Sequence, residues 1–206
     1  MNLFKILICI LIGYFAGSIP FSFLIAKWIK GIDLRKFGDG NVGASNVSRA
    51  VSRKAGIAAF LCDVIKGVFP VFLSQWILKL PDYAVVLAGL AAISGHNWPI
   101  FLGFKGGKGL STTIGVMGTL VPIEGAILLI PLFFVYIFLK HGIFSVMIVG
   151  SFLPILCWLG ARSAWLIWGT IFILVFVYIG GFQNVKNAWM EMRGKKNEAI
   201  NKKENI

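Results

Sequence analysis

Between Phe37 and Ala50 the chain reads FGDGNVGASNVSRA, a polar stretch set between two long apolar runs. Gly38, Gly40 and Gly43 permit backbone conformations closed to other residues and allow a ligand to approach the main chain closely. Asn41, Ser45 and Asn46 add short hydrogen-bonding side chains, and Arg49 adds a permanent charge on a planar set of donors. These residue types at this spacing suit an anion, a phosphate above all. An ordinary turn-rich loop is the plainer alternative, because glycine and asparagine also dominate turns. A second stretch, Phe104-Lys105-Gly106-Gly107-Lys108-Gly109, offers further backbone N–H groups and two cations. Two such loops on one side of the molecule would hold one phosphate on a lipid-soluble molecule and another on a water-soluble one. Lys105 and Lys108 alone would equally suit lipid headgroups.

Other chemistries find less support. Gly38-x-Gly40-x-x-Gly43 matches the dinucleotide-binding pattern, but no strand precedes it and no parallel-sheet unit surrounds it. The lysine-glycine loop lacks the GxxxxGK[ST] spacing that nucleotide hydrolysis would need. Cys9, Cys62 and Cys157 are odd in number, far apart and embedded in apolar runs, so they read as small core residues. His96 and His141 share no zinc-like spacing with each other or with the cysteines, and no metal or other cofactor is expected.

The elements that must position these loops are membrane helices. Of 206 residues 58% are hydrophobic and only 14% charged, where soluble domains carry roughly a quarter. The formal net charge of +12 gathers in the loop at 28–54, in the Lys105 and Lys108 loop and in the tail after Lys186. Enrichment of cytoplasmic loops in Lys and Arg explains that pattern, so nucleic acid is not an expected partner. The predicted fold is an all-α polytopic membrane protein with about seven transmembrane helices. Residues 1–185 form a single integral-membrane domain and residues 186–206 a basic cytoplasmic tail.

The first span, Leu3 to Trp28, reads as a retained helix and not a cleaved leader. It is interrupted at Gly17-Ser18-Ile19-Pro20, whose freed backbone groups need partners within the protein. Ala55 to Leu78 forms a second span, with Asp63 and Lys66 at i, i+3 on one face. A structural ion pair and a contribution to a site are both open readings of that pair. Tyr83 to Phe101 is the third span. The apolar stretches Leu110–Leu139 and Ile143–Gly180 are each expected to break, near Pro122 and near Arg162. Seven spans place the N-terminus outside and the C-terminus inside, with both glycine-rich loops and the Lys140-His141 turn inside and the Asp82, Glu124 and Arg162 turns outside. Five spans would move Lys140-His141 outside.

In order and spacing, GSIPFSFLIAK, DLRKFGDGNVGASNVSR, DVIKGVFPV and GHNWPIFLGFKGGKGLSTTIG resemble the PlsY family of bacterial acyl-phosphate:glycerol-3-phosphate acyltransferases. The resemblance covers most of the first 120 residues. It implies a seven-span enzyme of the inner membrane, with its active site facing the cytoplasm, that makes lysophosphatidic acid. Carried over by position, Arg49, Asn46, Lys105 and His96 would be catalytic. Gly40, Asn41, Gly43, Ser45, Gly106, Gly107, Lys108 and Asn184 would bind substrate. The chain has Asp39 where the family usually has serine, and Ser45 where it usually has threonine. The family's third motif, HxxNIxR, is Gly181-Phe182-Gln183-Asn184-Val185-Lys186-Asn187 here and keeps only its asparagine among the polar residues. A carboxylate at position 39 is unfavourable beside a phosphate unless it points away, pairs with Arg49 or takes a proton.

An acyl phosphate is already activated, so positioning and charge stabilisation would carry most of the rate. The expected partners are acyl phosphate, glycerol 3-phosphate and membrane lipids; the sequence is compatible with a monomer and leaves the oligomeric state open. A divergent member acting on another polyol phosphate, or inactive, is one alternative. A transporter or lipid-binding protein using the same basic loops is another, but it should line several spans with polar residues.

Overall fold

A computed structural model describes residues 3–139 and 142–179. Every regular element among them is helical. The first apolar stretch forms α1 (Leu3–Ser18) and α2 (Phe21–Lys30), and the polar loop contains a short α3 (Ala44–Ala50). Then follow α4 (Arg53–Phe72), which runs into a π-helical turn at Leu73–Ile77, α5 (Asp82–Asn97), α6 (Leu110–Leu120) and α7 (Pro122–Leu139). The last described elements are α8 (Gly142–Gly150), α9 (Leu153–Leu159) and α10 (Ala164–Ile179). These make seven apolar segments. Leu3–Lys30, Arg53–Ile77, Asp82–Leu102 and Pro122–Leu139 are long and apolar enough to cross a membrane, and Leu110–Leu120, Phe144–Leu159 and Ala164–Ile179 are shorter.

Each expected break is present and has a local cause. Pro20 cannot continue α1, and at the break the Ile19 carbonyl accepts the Phe21 N–H at 3.1 Å and Lys66 Nζ at 3.0 Å. Pro122 opens α7 after a turn at Val121. One further break, between Gly150 and Leu153, was not expected. Pro154 explains it, since its ring would clash with the carbonyl four residues back, that of Gly150. The helix α3 was likewise unforeseen, being too short and polar to show a hydrophobic period.

Small residues let the helices touch backbone to backbone, the usual means of packing where lipid removes the hydrophobic drive between helices. A Cβ on Gly17 of α1 would stand 2.0 Å from the Ala92 carbonyl oxygen of α5, and one on Gly115 of α6 would stand 2.1 Å from the Val64 carbonyl oxygen of α4. Around these contacts Val71, Val85, Ile93, Val116, Leu120 and Ile173 form the main core. By contrast α7 buries only Glu124 and exposes Ile130, Phe133, Phe134 and Phe138, as a helix facing lipid should.

Polar contacts tie the turns at each end of the bundle. Arg162 donates to Glu124 at 2.6 and 3.1 Å, and Ser163 Oγ donates to the Asp82 carboxylate. The Asp82, Glu124 and Arg162 turns therefore lie together at one end. The two glycine-rich loops lie together at the other, joined by Lys108 and Asp39. This alternation is the one seven segments require. A second, smaller core of Ala26, Leu34, Val47, Val51 and Ala59 holds α3 and its loop against α2 and α4.

Candidate active site

The first loop is shaped from within. Asp33 accepts the Arg35 backbone N–H and pairs with its guanidinium at 2.8 Å. The hydrogen bond from Arg35 holds the Asp33 carboxyl down at about 2. Gly38 and Gly40 then take φ of 60° and 70°, the left-handed region that glycine adopts without strain. Asn46, expected to touch substrate, instead turns inward and is fully buried. Its Nδ2 donates to the carbonyls of Leu34 (3.3 Å), Phe37 (2.9 Å) and Asn41 (3.0 Å). Asn46, expected to be catalytic, thus holds the loop closed through its amide donors, while its buried Oδ1 has no hydrogen-bond partner among the described residues. Ser45 and Arg49, one position before it and three after, face outward from the same helix.

The second loop is also self-satisfied. Gly106 N–H donates to the Asn97 carbonyl at 3.2 Å and Gly107 N–H to the His96 carbonyl at 3.0 Å. Expected to meet a phosphate, these two N–H groups here fold the loop back on the end of α5. Glycine is required at 107 by space, because a Cβ there would lie 2.1 Å from His96 Nε2 and 2.7 Å from the Val42 carbonyl oxygen of the first loop. The cations remain. Lys105 is exposed and forms no ion pair with a described residue.

One carboxylate joins the loops. Asp39 Oδ1 pairs with Arg49 Nη2 at 3.2 Å and Asp39 Oδ2 with Lys108 Nζ at 3.1 Å. Asp39 Oδ1 also accepts the Asn41 N–H at 3.4 Å. Partial burial works against the charge on Asp39, but the Lys108 ammonium, with Asn41 N–H and Arg49, holds its carboxyl below the ordinary value. Of the three arrangements that would make a carboxylate tolerable here, the structure adopts pairing, and with two cations.

Beneath the loops lies a buried polar cluster. Asp63 Oδ2 accepts from Ser22 Oγ at 2.9 Å. Lys66 Nζ stands 3.0 Å from Asp63 Oδ1, paired by charge although out of line for a hydrogen bond, and His96 Nδ1 stands 3.7 Å from the same oxygen. His96, expected to be catalytic, is 6% exposed and sits between this cluster and Gly107. It positions the second loop from below. Ser22 went unnoticed in the sequence; a serine two residues after a helix-breaking proline was the available signal. A cavity of about 10 Å³, the room one water needs, lies among Ser18, Ser22, Asp63, His96 and Gly107.

Below the second loop an apolar groove of about 270 Å³ runs along α6, from Leu110 and Thr113 past Met117 and Gly118, against α7, α8 and α10. Its upper end is one residue from Gly109, which caps α6. Asn184, His141 and the tail from residue 186 lie outside the described residues.

Comparison with known proteins agrees with this arrangement. The family model of glycerol-3-phosphate acyltransferase matches residues 7–190. Glycerol-3-phosphate acyltransferase 4 of Dehalococcoides mccartyi strain CBDB1 is 42% identical over 72% of the chain, and the match spans 61% of that relative's length. Glycerol-3-phosphate acyltransferase 1 of Dehalococcoides mccartyi strain 195 is 39% identical, covering 83% of the chain and 84% of the relative. The chain thus spans about three fifths of some curated relatives and most of others. Its fold is similar to the crystal structure of PlsY, an integral membrane glycerol 3-phosphate acyltransferase, in the glycerol 3-phosphate form, with TM-score 0.83 and 28% identity over 91% of this chain and 93% of that one. By sequence over nearly its whole length and by fold, the chain belongs to the glycerol-3-phosphate acyltransferase family that includes PlsY.

Proposed function

We propose that the protein transfers a fatty acyl group from acyl phosphate to the primary hydroxyl of glycerol 3-phosphate, giving lysophosphatidic acid and phosphate. The observation that carries this reading is the convergence of Arg49 and Lys108, from separate loops, on one carboxylate, with an apolar groove that begins at Leu110, two residues after Lys108. Cations bind the phosphates while the groove takes the acyl chain, which puts the reacting carbonyl at the boundary between them. The acceptor hydroxyl oxygen attacks the acyl carbon. As that C–O bond forms, the bond from the acyl carbon to the phosphate oxygen breaks, and the departing phosphate takes the hydroxyl proton. Arg49 holds the acyl-phosphate headgroup, while Lys108, with Lys105 beside it at the surface, holds the acceptor. Asn46, His96, Gly106 and Gly107 fix the loops that carry them. Ser45 and Asn41 border the first phosphate, and Asn184 is assigned to substrate binding by its match to the family's third motif.

The basic loops face the cytoplasm of a bacterial inner membrane, where glycerol 3-phosphate is soluble. The test is lysophosphatidic acid formation by the purified protein, with long-chain acyl phosphate and acyl-CoA as parallel donors. Product from acyl phosphate alone is expected. Product from neither donor, in folded protein, would overturn the reading.

The groove makes a second prediction. Gly118 lies on its wall nine residues after Gly109, about 13 Å down the helix axis, and a Cβ there would meet nothing within 4 Å. Gly118→Leu should therefore fit without disturbing the backbone and should block the groove at that depth. Transfer from long-chain donors is expected to fall about tenfold relative to short-chain donors. An unchanged ratio would place the acyl chain elsewhere.

A further inference from the structure

Arg49 and Lys108 are the two cations on which the proposed function places substrate phosphates, yet each already has an anion. Asp39 spans them with its two oxygens, one on each. Its remaining contact is the weak one from Asn41 N–H. Nothing else confines it: the carboxylate is 41% exposed, and it stands between two glycines whose positive φ values set a sharp turn open to solvent. The other loop carboxylate, Asp33, is spent on Arg35 and does not take part.

From this geometry we propose that Asp39 is a resident anion, occupying the Arg49 and Lys108 pair in the free protein and giving way to the phosphate of the substrate. The proposal rests on the functional reading for the identity of that substrate, but its own content is the competition for the two cations. A phosphate cannot simply join the bridge, because a dianion on either cation would face the carboxylate at close range. A dianion can displace it, since each cation attracts two negative charges more strongly than one. Asp39 is thereby a specificity-determining residue. It sets a threshold that a phosphate monoester dianion exceeds and a singly charged group, such as a phosphodiester headgroup of the surrounding lipid, does not. In an interface crowded with lipid phosphates such a threshold keeps the site free for its substrate.

The cost of holding the self-occupied state appears as weakened affinity, in proportion to the fraction of protein already occupied. Removing the carboxylate should therefore tighten binding of inorganic phosphate about fivefold, the size expected when exposed ion pairs are surrendered. The experiment is a calorimetric titration of inorganic phosphate into the purified full chain, wild type against Asp39→Asn and Asp39→Ser, with acyl transfer assayed on the same samples. Tighter phosphate binding in the variants is the expected result. Equal or weaker binding would overturn the proposal and make Asp39 a clamp that substrate needs. Should the serine variant fail to fold, the isosteric asparagine variant decides alone. Tightened binding without acyl transfer by any form would leave the proposal standing and remove the functional reading; transfer without tightened binding would do the reverse.

Discussion

Arg49→Ala and Lys108→Ala are each expected to lower kcat/KM for acyl transfer by about 10²- to 10³-fold, the range measured when one preorganised charge or donor is removed from a reacting centre. Neither side chain supports the fold. Arg49 projects from α3 with 57% of its side chain exposed, and its ion pair is with Asp39. Lys108 is more enclosed, at 18%, but its amine meets the same carboxylate. Either variant leaves Asp39 with one cation in place of two, at a surface where such pairs contribute about 0–1 kcal/mol. The loss should thus appear in rate with little change in thermal stability. The division between kcat and KM is informative: Lys108→Ala should raise KM for glycerol 3-phosphate, and Arg49→Ala should raise KM for the acyl phosphate. Full activity in both variants would remove the site assignment.

Lys66→Met should act in the opposite way, on the fold first. Lys66 is 4% exposed and Asp63 1%, so the methionine variant would leave a carboxylate inside the bundle without its cation and the Ile19 carbonyl at the helix break with only the Phe21 N–H. Removing one member of a buried ion pair costs about 3–5 kcal/mol, a large share of the stability of any domain. Pairing it with Asp63→Asn should recover much of that loss, because the second substitution removes the orphaned charge and keeps an acceptor for Ser22 Oγ. Thermal unfolding of the two single variants and the double variant in detergent checks this. If Lys66→Met is as stable as the wild type, the pair is not what holds the break between α1 and α2. The expected companion effect is on the second loop. Asp63 faces His96, and His96 faces Gly107, so the single variant should also lose acyl transfer in the fraction that remains folded.

The membrane class, the helical segments and the two loops were readable from the residues alone, because each depends on local facts. Apolar runs of span length, prolines at 20 and 122, and glycines beside cations act through the chain within a few residues of themselves. The break before Pro154 belongs to the same class and was missed because a lone serine, Ser151, does not interrupt the apolar run around it. The chemistry of the site depended on partners far away along the chain. Asp39 and Lys108 are 69 residues apart, and no local pattern tells a carboxylate which distant cation it will meet. Asn46 and the glycines of the second loop look like ligand contacts in sequence because the same donors serve a phosphate or the backbone equally well. The packing of α3 on α2 and α4, and of the second loop on α5, assigned them to the backbone. His96 followed the same logic, drawn to Asp63 from another helix and so buried. Residue types and spacing determined that this chain would build a basic, glycine-rich end on a bundle of membrane helices. Tertiary structure decided which of those groups remain available to a substrate, since a buried polar group must find a partner inside the protein and a surface one need not.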